Sequence, residues 1–177
     1  MASDVVAYVA VSLDGFIAES DGSVAFLDDF GSDEYKFHDF IDGVGALVMG
    51  SATYEQVVGF GWPYGEIPAL VLTSRDLPVA EGATIDFSSE RTGEAIRSYS
   101  SVTEKRVWVV GGGKVVTAAL QSGAIDTLEL YLMPVALGRG VPLFTEPCEG
   151  PLTLVESQAF SNGVVKLLDT TAVEKAG

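Results

Sequence analysis

The residues best placed to do chemistry are Gly111-Gly112-Gly113-Lys114-Val115, which follow the apolar run Val107 to Val110 and open an apolar pattern at helical spacing. A strand, a glycine turn and a helix start aim unpaired N–H groups at whatever lies in front of the helix, with no side chain to hold it away. A phosphate suits that place. The spacing matches neither the dinucleotide fingerprint nor the P-loop, so a plain tight turn is the other reading of the triplet taken alone. The same punctuation recurs at Gly50-Ser51-Ala52-Thr53, after the apolar run Ala46 to Met49. At Thr73-Ser74-Arg75 a cation stands at the end of a third apolar run.

Other chemistries have little to work with. One cysteine, Cys148, and one histidine, His38, leave no intrachain disulfide, no visible Cys–His nucleophile and no metal site. Cys148 reads as a space-filling residue and His38 as a surface or boundary one. The 25 acidic against 10 basic residues, a formal charge of −15, argue against a nucleic-acid surface, which needs clustered Lys and Arg. No apolar run reaches membrane-spanning length and no basic leader precedes an apolar stretch, so the expected setting is cytoplasmic, without a membrane partner.

The elements that must position the glycines follow from periodicity. Val5 to Val11, Ala46 to Met49, Ala69 to Thr73 and the run before Gly111 read as buried strands, rich in β-branched residues. Ser32 is a good N-cap, and Asp33 and Glu34 suit the first turn of a helix whose buried face is Phe37, Phe40 and Ile41, running to Asp42-Gly43. Thr53 to Val58 and Lys114 to Gln121 read as helices. Glu90 to Tyr99 reads as a further helix capped by Asp86 or Ser88. Ile125 to Met133 is a strand, and Leu152 to Ala159 with Val164 to Thr170 form a hairpin about Ser161-Asn162-Gly163. The length of 177 residues and 47% hydrophobic content fit one domain over residues 1–177. Strands alternating with helices and then an antiparallel finish predict an α/β fold with a mostly parallel sheet and a hairpin edge. Ligands in such sheets lie at the carboxyl ends of the strands, where this chain keeps Gly15, Gly50, Ser74 with Arg75, and Gly111 to Gly113.

Five segments in order, Val9-Ala10-Val11-Ser12-Leu13-Asp14-Gly15-Phe16-Ile17-Ala18, Val48-Met49-Gly50-Ser51-Ala52-Thr53-Tyr54, Leu72-Thr73-Ser74-Arg75, Val109-Val110-Gly111-Gly112-Gly113-Lys114 and Gly138-Arg139-Gly140-Val141-Pro142-Leu143-Phe144, resemble the dihydrofolate reductase-like superfamily. The first and last are similar to the branch of the riboflavin biosynthesis reductase domain, the RibD C-terminal domain. The resemblance implies a three-layer αβα fold and an NADPH-dependent reductase transferring hydride to a small acceptor of the pyrimidine or pterin class. It implies that Gly50, Ser51, Ala52 and Thr53, with Gly111, Gly112, Gly113, Lys114 and Val115, hold the cofactor's phosphates. It also implies that Thr73, Ser74 and Arg75 read the 2′-phosphate, that Ser12 and Ile17 flank the nicotinamide, and that the Gly111–Gly112 peptide is cis. Glu34 aligns by spacing with the substrate-binding carboxylate of the folate enzymes, although an acid there is also what a helix start prefers. Arg139 could meet an anionic substrate or face solvent. A homodimer through the final strands is a further implication.

Two departures stand out. Ser51 replaces the family's usual arginine, and Ser23-Val24-Ala25-Phe26 replaces the Pro-Trp loop of true dihydrofolate reductases. The first keeps open a nucleotide-binding or structural protein without turnover. The second speaks against a true dihydrofolate reductase.

Overall fold

The computed structural model describes residues 3–171. Its elements are β1 (Val5–Ser12), β2 (Phe16–Ala18), α1 (Phe37–Asp42), β3 (Val44–Gly50), α2 (Ser51–Gly59), β4 (Ala69–Leu72), β5 (Ile85–Ser88), α3 (Thr92–Tyr99), β6 (Arg106–Gly111), α4 (Gly113–Gln121), β7 (Thr127–Met133), β8 (Val141–Pro142), β9 (Thr153–Ala159) and β10 (Val165–Thr170). An 8-stranded sheet runs in the order β5-β4-β3-β6-β1-β7-β10-β9, and β2 pairs with β8 in a separate ribbon. The strands from β5 to β7 in that order are parallel, while β10 and β9 turn antiparallel. This is the mostly parallel, three-layer architecture expected of the dihydrofolate reductase-like fold.

Alternation divides the strand residues between two cores. Val5, Ala7, Val9 and Val11 of β1 join Ala46, Val48, Val107 and Val109 beneath Ile96 of α3 and Val116 of α4. On the other face Val6, Leu47, Met49, Val71 and Trp108 pack beneath Phe40 of α1 and Tyr54 of α2. Central strands buried on both faces explain the near-continuous valine runs. Among the described residues no helix is long and apolar enough to cross a membrane.

Several local expectations are corrected. Ser32 does cap, its Oγ accepting from Glu34 N, but it opens a 3-10 turn, Asp33–Tyr35, rather than the α-helix. Lys36 at φ 51° then breaks the path before the six-residue α1, so the acids at 33 and 34 are not in that helix's first turn. Asp86 and Ser88 lie within the edge strand β5, and α3 starts after Arg91. Four half-exposed residues pairing only with β4 carry too little alternation to be read as a strand. Cys148 is exposed and fills no space.

Candidate functional site

The two helix starts singled out by glycine meet at one place. β3 and β6 are parallel neighbours, so their carboxyl ends deliver α2 and α4 side by side. A Cβ built on Gly50 would lie 3.2 Å from Val115 Cγ2, and one on Gly112 would lie 3.4 Å from Thr53 Oγ1. Gly50 and Gly112 are the N-cap residues of α2 and α4, and neither helix has a side-chain cap. The dipoles and leading N–H groups of both therefore face the gap between them. Gly111 sits at φ 134°, a conformation that demands glycine, and the Gly111–Gly112 peptide is cis, as the resemblance implies.

A cleft of about 770 Å³ opens above this junction, within the usual range for small-molecule sites. Gly111, Gly112, Ala52 and Thr53 form its floor, Ile17, Ala18 and Val141 one wall, and Leu27, Phe60 and Val110 further apolar surface. Asp21 and Glu55 also line it, whereas no Lys or Arg does among the described residues.

The wall is built by two loops tied together. Phe16 pairs with Pro142 and Ala18 with Val141, and Leu143 N donates to Gly15 O at 2.9 Å. Asp14 latches them from outside: its carboxylate accepts from Ser12 Oγ at 2.6 Å, Leu137 N at 3.0 Å and Gly138 N at 2.7 Å. The Ser12 hydroxyl, followed by the two backbone N–H groups, holds the Asp14 carboxyl down at about 2. Ser12 itself is fully buried and also accepts from Phe16 N at 2.9 Å. Gly113 closes the assembly, since a Cβ there would collide with Pro142 O.

The remaining predicted residues do not line this cleft and lie on the elements beside it, in two groups. Ser51 opens α2, Lys114 is exposed in the first turn of α4, and Val115 is buried against Gly50. Thr73, Ser74 and Arg75 follow β4, where Thr73 Oγ1 accepts from Arg75 N at 3.0 Å. The Arg75 guanidinium reaches back to Glu55 of α2, Nη2 to Oε2, at 2.5 Å.

Glu34 is not brought to the cleft. It lines a second, polar cleft of about 540 Å³ on the flank of the sheet, where its Oε1 accepts from Ser161 Oγ. That cleft also holds Lys166 Nζ, 3.4 Å from Glu129 and 3.5 Å from Glu156, and Tyr131 OH donating to Glu129 at 2.9 Å. Burial pushes the Tyr131 hydroxyl well above the usual tyrosine range.

Sequence reasoning missed Asp14, Asp21, Glu55 and Phe60. Asp14 was visible only as part of a motif, because two of its three partners are backbone groups more than a hundred residues away.

A group able to sit here would need to present anionic oxygens to two helix starts and a flat ring to apolar walls. A nicotinamide dinucleotide meets both demands: its pyrophosphate suits the uncapped N-termini, and the bare Gly111–Gly112 backbone leaves space a side chain would take.

Comparison with known proteins identifies the family and the fold. The RibD C-terminal domain family matches residues 94–166. Over 170 residues, 90% of this chain and 93% of the other, the chain is 32% identical to the uncharacterized protein YwjB of Bacillus subtilis. Two solved structures share the fold at lower identity. One is a Thermotoga maritima diaminohydroxyphosphoribosylaminopyrimidine deaminase/5-amino-6-(5-phosphoribosylamino)uracil reductase, at 17% identity and TM-score 0.74, covering 97% of this chain and 57% of that one. The other is dihydrofolate reductase from Enterococcus faecalis complexed with NADP(H), at 19% identity and TM-score 0.67, covering 96% of this chain and 97% of that one.

Proposed function

The chain belongs to the RibD C-terminal domain family, and on that premise we propose that it is an NADPH-dependent reductase of a small planar acceptor of the pyrimidine or pterin class. The observation that carries the reading is the meeting of two helix starts without side-chain caps across bare Gly111–Gly112 backbone, at the floor of a cleft at the strand ends. Gly50, Ser51, Ala52 and Thr53 on one side and Gly111 to Lys114 on the other would hold the pyrophosphate, through backbone N–H groups and the Thr53 hydroxyl, while Val115, whose N–H donates to Gly112 O at 3.0 Å, packs behind them against Gly50. Thr73, Ser74 and Arg75 would hold the 2′-phosphate. Ser12 and Ile17 would flank the nicotinamide.

The chemistry supplied by the bound cofactor is hydride transfer, so the chain's own task is placement and exclusion of water. The ribbon of β2 and β8 does both: Ile17, Ala18 and Val141 present apolar surface to the cleft, and Asp14 keeps the ribbon closed on its neighbours. Leu27, Phe60 and Val110 offer flat apolar surface to an aromatic acceptor. Asp14 is a positioning residue in this account, and Glu34 braces the Asp33–Tyr35 turn against the β9–β10 hairpin through Ser161.

The proposed assembly is a homodimer that covers β9, the sheet edge where Leu152, Leu154 and Val155 stand exposed. Light scattering on the eluting peak gives twice the chain mass if this is right and the single-chain mass of 18.6 kDa if it is not.

Calorimetric titration with NADPH, followed by absorbance assays with pyrimidine and pterin acceptors, tests the reaction. The reading expects saturable binding and acceptor-dependent oxidation. Saturable binding with no acceptor oxidising NADPH favours the non-catalytic nucleotide-binding protein that Ser51 first raised. Absence of binding at low salt removes both.

A further inference from the structure

Arg75 is the residue this account assigns to the 2′-phosphate, and it is already engaged. Its guanidinium lies 2.5 Å from the Glu55 carboxylate. Both backbones are held in place. α2 is anchored on either side of Glu55, by Tyr54 OH donating to Pro78 O at 2.7 Å and accepting from Ala80 N at 2.9 Å, and by Gln56 Nε2 donating to Gly22 O at 2.6 Å. Arg75 is set by its N–H bond to Thr73 Oγ1. The fixed backbones keep the two side chains within reach of each other.

Glu55 also lines the strand-end cleft, beside Asp21, with no basic residue among the described lining. A phosphate monoester arriving at Arg75 meets a competing carboxylate twice over: the guanidinium must leave Glu55, and the freed Glu55 charge then repels the phosphate. A ribose 2′-hydroxyl carries no such penalty and can donate to a carboxylate. Ser51 stands where the resembled family carries an arginine, so α2 itself, Ser51–Gly59, brings no cation to offset the repulsion.

We propose that Glu55 is a specificity-determining residue that competes with the cofactor's 2′-phosphate for Arg75, so that this chain separates NADPH from NADH only weakly. The inference rests on the dinucleotide reading above and deepens it. The pair is about half exposed, with side-chain accessibilities of 54% for Arg75 and 49% for Glu55, so solvent screens it and a phosphate displaces it rather than being shut out. NADPH is accepted at reduced advantage.

The test measures dissociation constants for NADPH, NADH, 2′,5′-ADP and 5′-AMP by calorimetry on the full chain, for the wild type, Glu55→Gln, Arg75→Gln and the double variant. The wild type is expected to prefer NADPH over NADH by less than about tenfold. Glu55→Gln is expected to raise that preference by about fivefold, chiefly through tighter NADPH binding, with the same rise for 2′,5′-ADP over 5′-AMP. Arg75→Gln should remove the preference, and adding Glu55→Gln to it should restore nothing. Both positions are exposed, so melting curves should match the wild type and certify folded variants. An unchanged ratio in Glu55→Gln, or in Arg75→Gln, overturns the inference while leaving dinucleotide binding intact. Failure of all four ligands to bind the wild type removes the dinucleotide reading and this inference together.

Discussion

The two clefts of this molecule share one sheet and differ in where their polar groups point. In the polar cleft on the flank, Glu129, Lys166, Tyr131 and Glu34 are each engaged with another protein group, and Arg106 pairs with Asp4 at 3.6 Å while lying 5.5 Å from the Phe40 ring centre. In the strand-end cleft the floor is backbone, supplied by glycines and helix starts without side-chain caps. Abundant charge marks the first, and exposed binding capacity marks the second. Charges already paired within the protein make no demand for a ligand, whereas the leading N–H groups of a helix that faces a gap can take an anion.

The sharpest way to break the contrast is to add one methyl group to the glycine floor. Gly113→Ala drives a Cβ onto Pro142 O and toward Leu143 O at 3.0 Å. It should cost about 3 kcal/mol of stability by overpacking. NADPH affinity should fall by about a hundredfold as the Gly138–Phe144 loop shifts. Thermal melts and calorimetry read the two effects.

The next largest effect should fall on the other cleft alone. Lys166→Met leaves Glu129 without its cation, at side-chain accessibilities of 18% and 12%. Stability should drop by about 2 kcal/mol. NADPH affinity should stay at the wild-type value, and a loss there would mean that the clefts are coupled.

Asp14→Ala removes the acceptor of Leu137 N and Gly138 N and frees the ribbon wall. Acceptor turnover should fall by about tenfold in kcat/KM through lost positioning, with Asp14→Asn recovering part of it by its amide oxygen. The pH dependence has a definite sign. Because the folded Asp14 carboxyl is lowered from 3.8 to about 2, the latch contributes fully above 3.8 and is lost as the pH falls through about 2. NADPH affinity should show no inflection from this group near neutrality.

Glu34→Gln should have the smallest effect. Its amide oxygen can still accept from Ser161, and NADPH affinity and acceptor turnover should remain within about twofold. A larger loss of turnover would return Glu34 to a substrate role.

Much of this was legible in the chain, and the illegible parts share a cause. Valine-rich strands buried on both faces announce themselves by composition, and glycines at their ends mark where helices begin, so Gly50 and Gly111 to Gly113 could be placed together at the carboxyl ends of the strands from the sequence alone. β5 and the β2–β8 ribbon could not, because strands of four, three and two residues owe their form to a neighbour rather than to their own pattern. The break at Lys36 is equally hidden, since Ser32 caps a 3-10 turn with the same residues that would cap an α-helix. Asp14 illustrates the limit best. Beyond the nearby Ser12 hydroxyl, its partners are main-chain N–H groups across the fold, which no side chain in the sequence points to.

The central claim concerns which cleft takes the dinucleotide, and amide hydrogen exchange with and without NADPH addresses both clefts in one measurement. Exchange should slow at Ser51 to Glu55 and Gly112 to Val116, with Thr127 to Tyr131 and Val165 to Leu168 unchanged. Protection confined to the polar flank, or none at saturating NADPH, would contradict it.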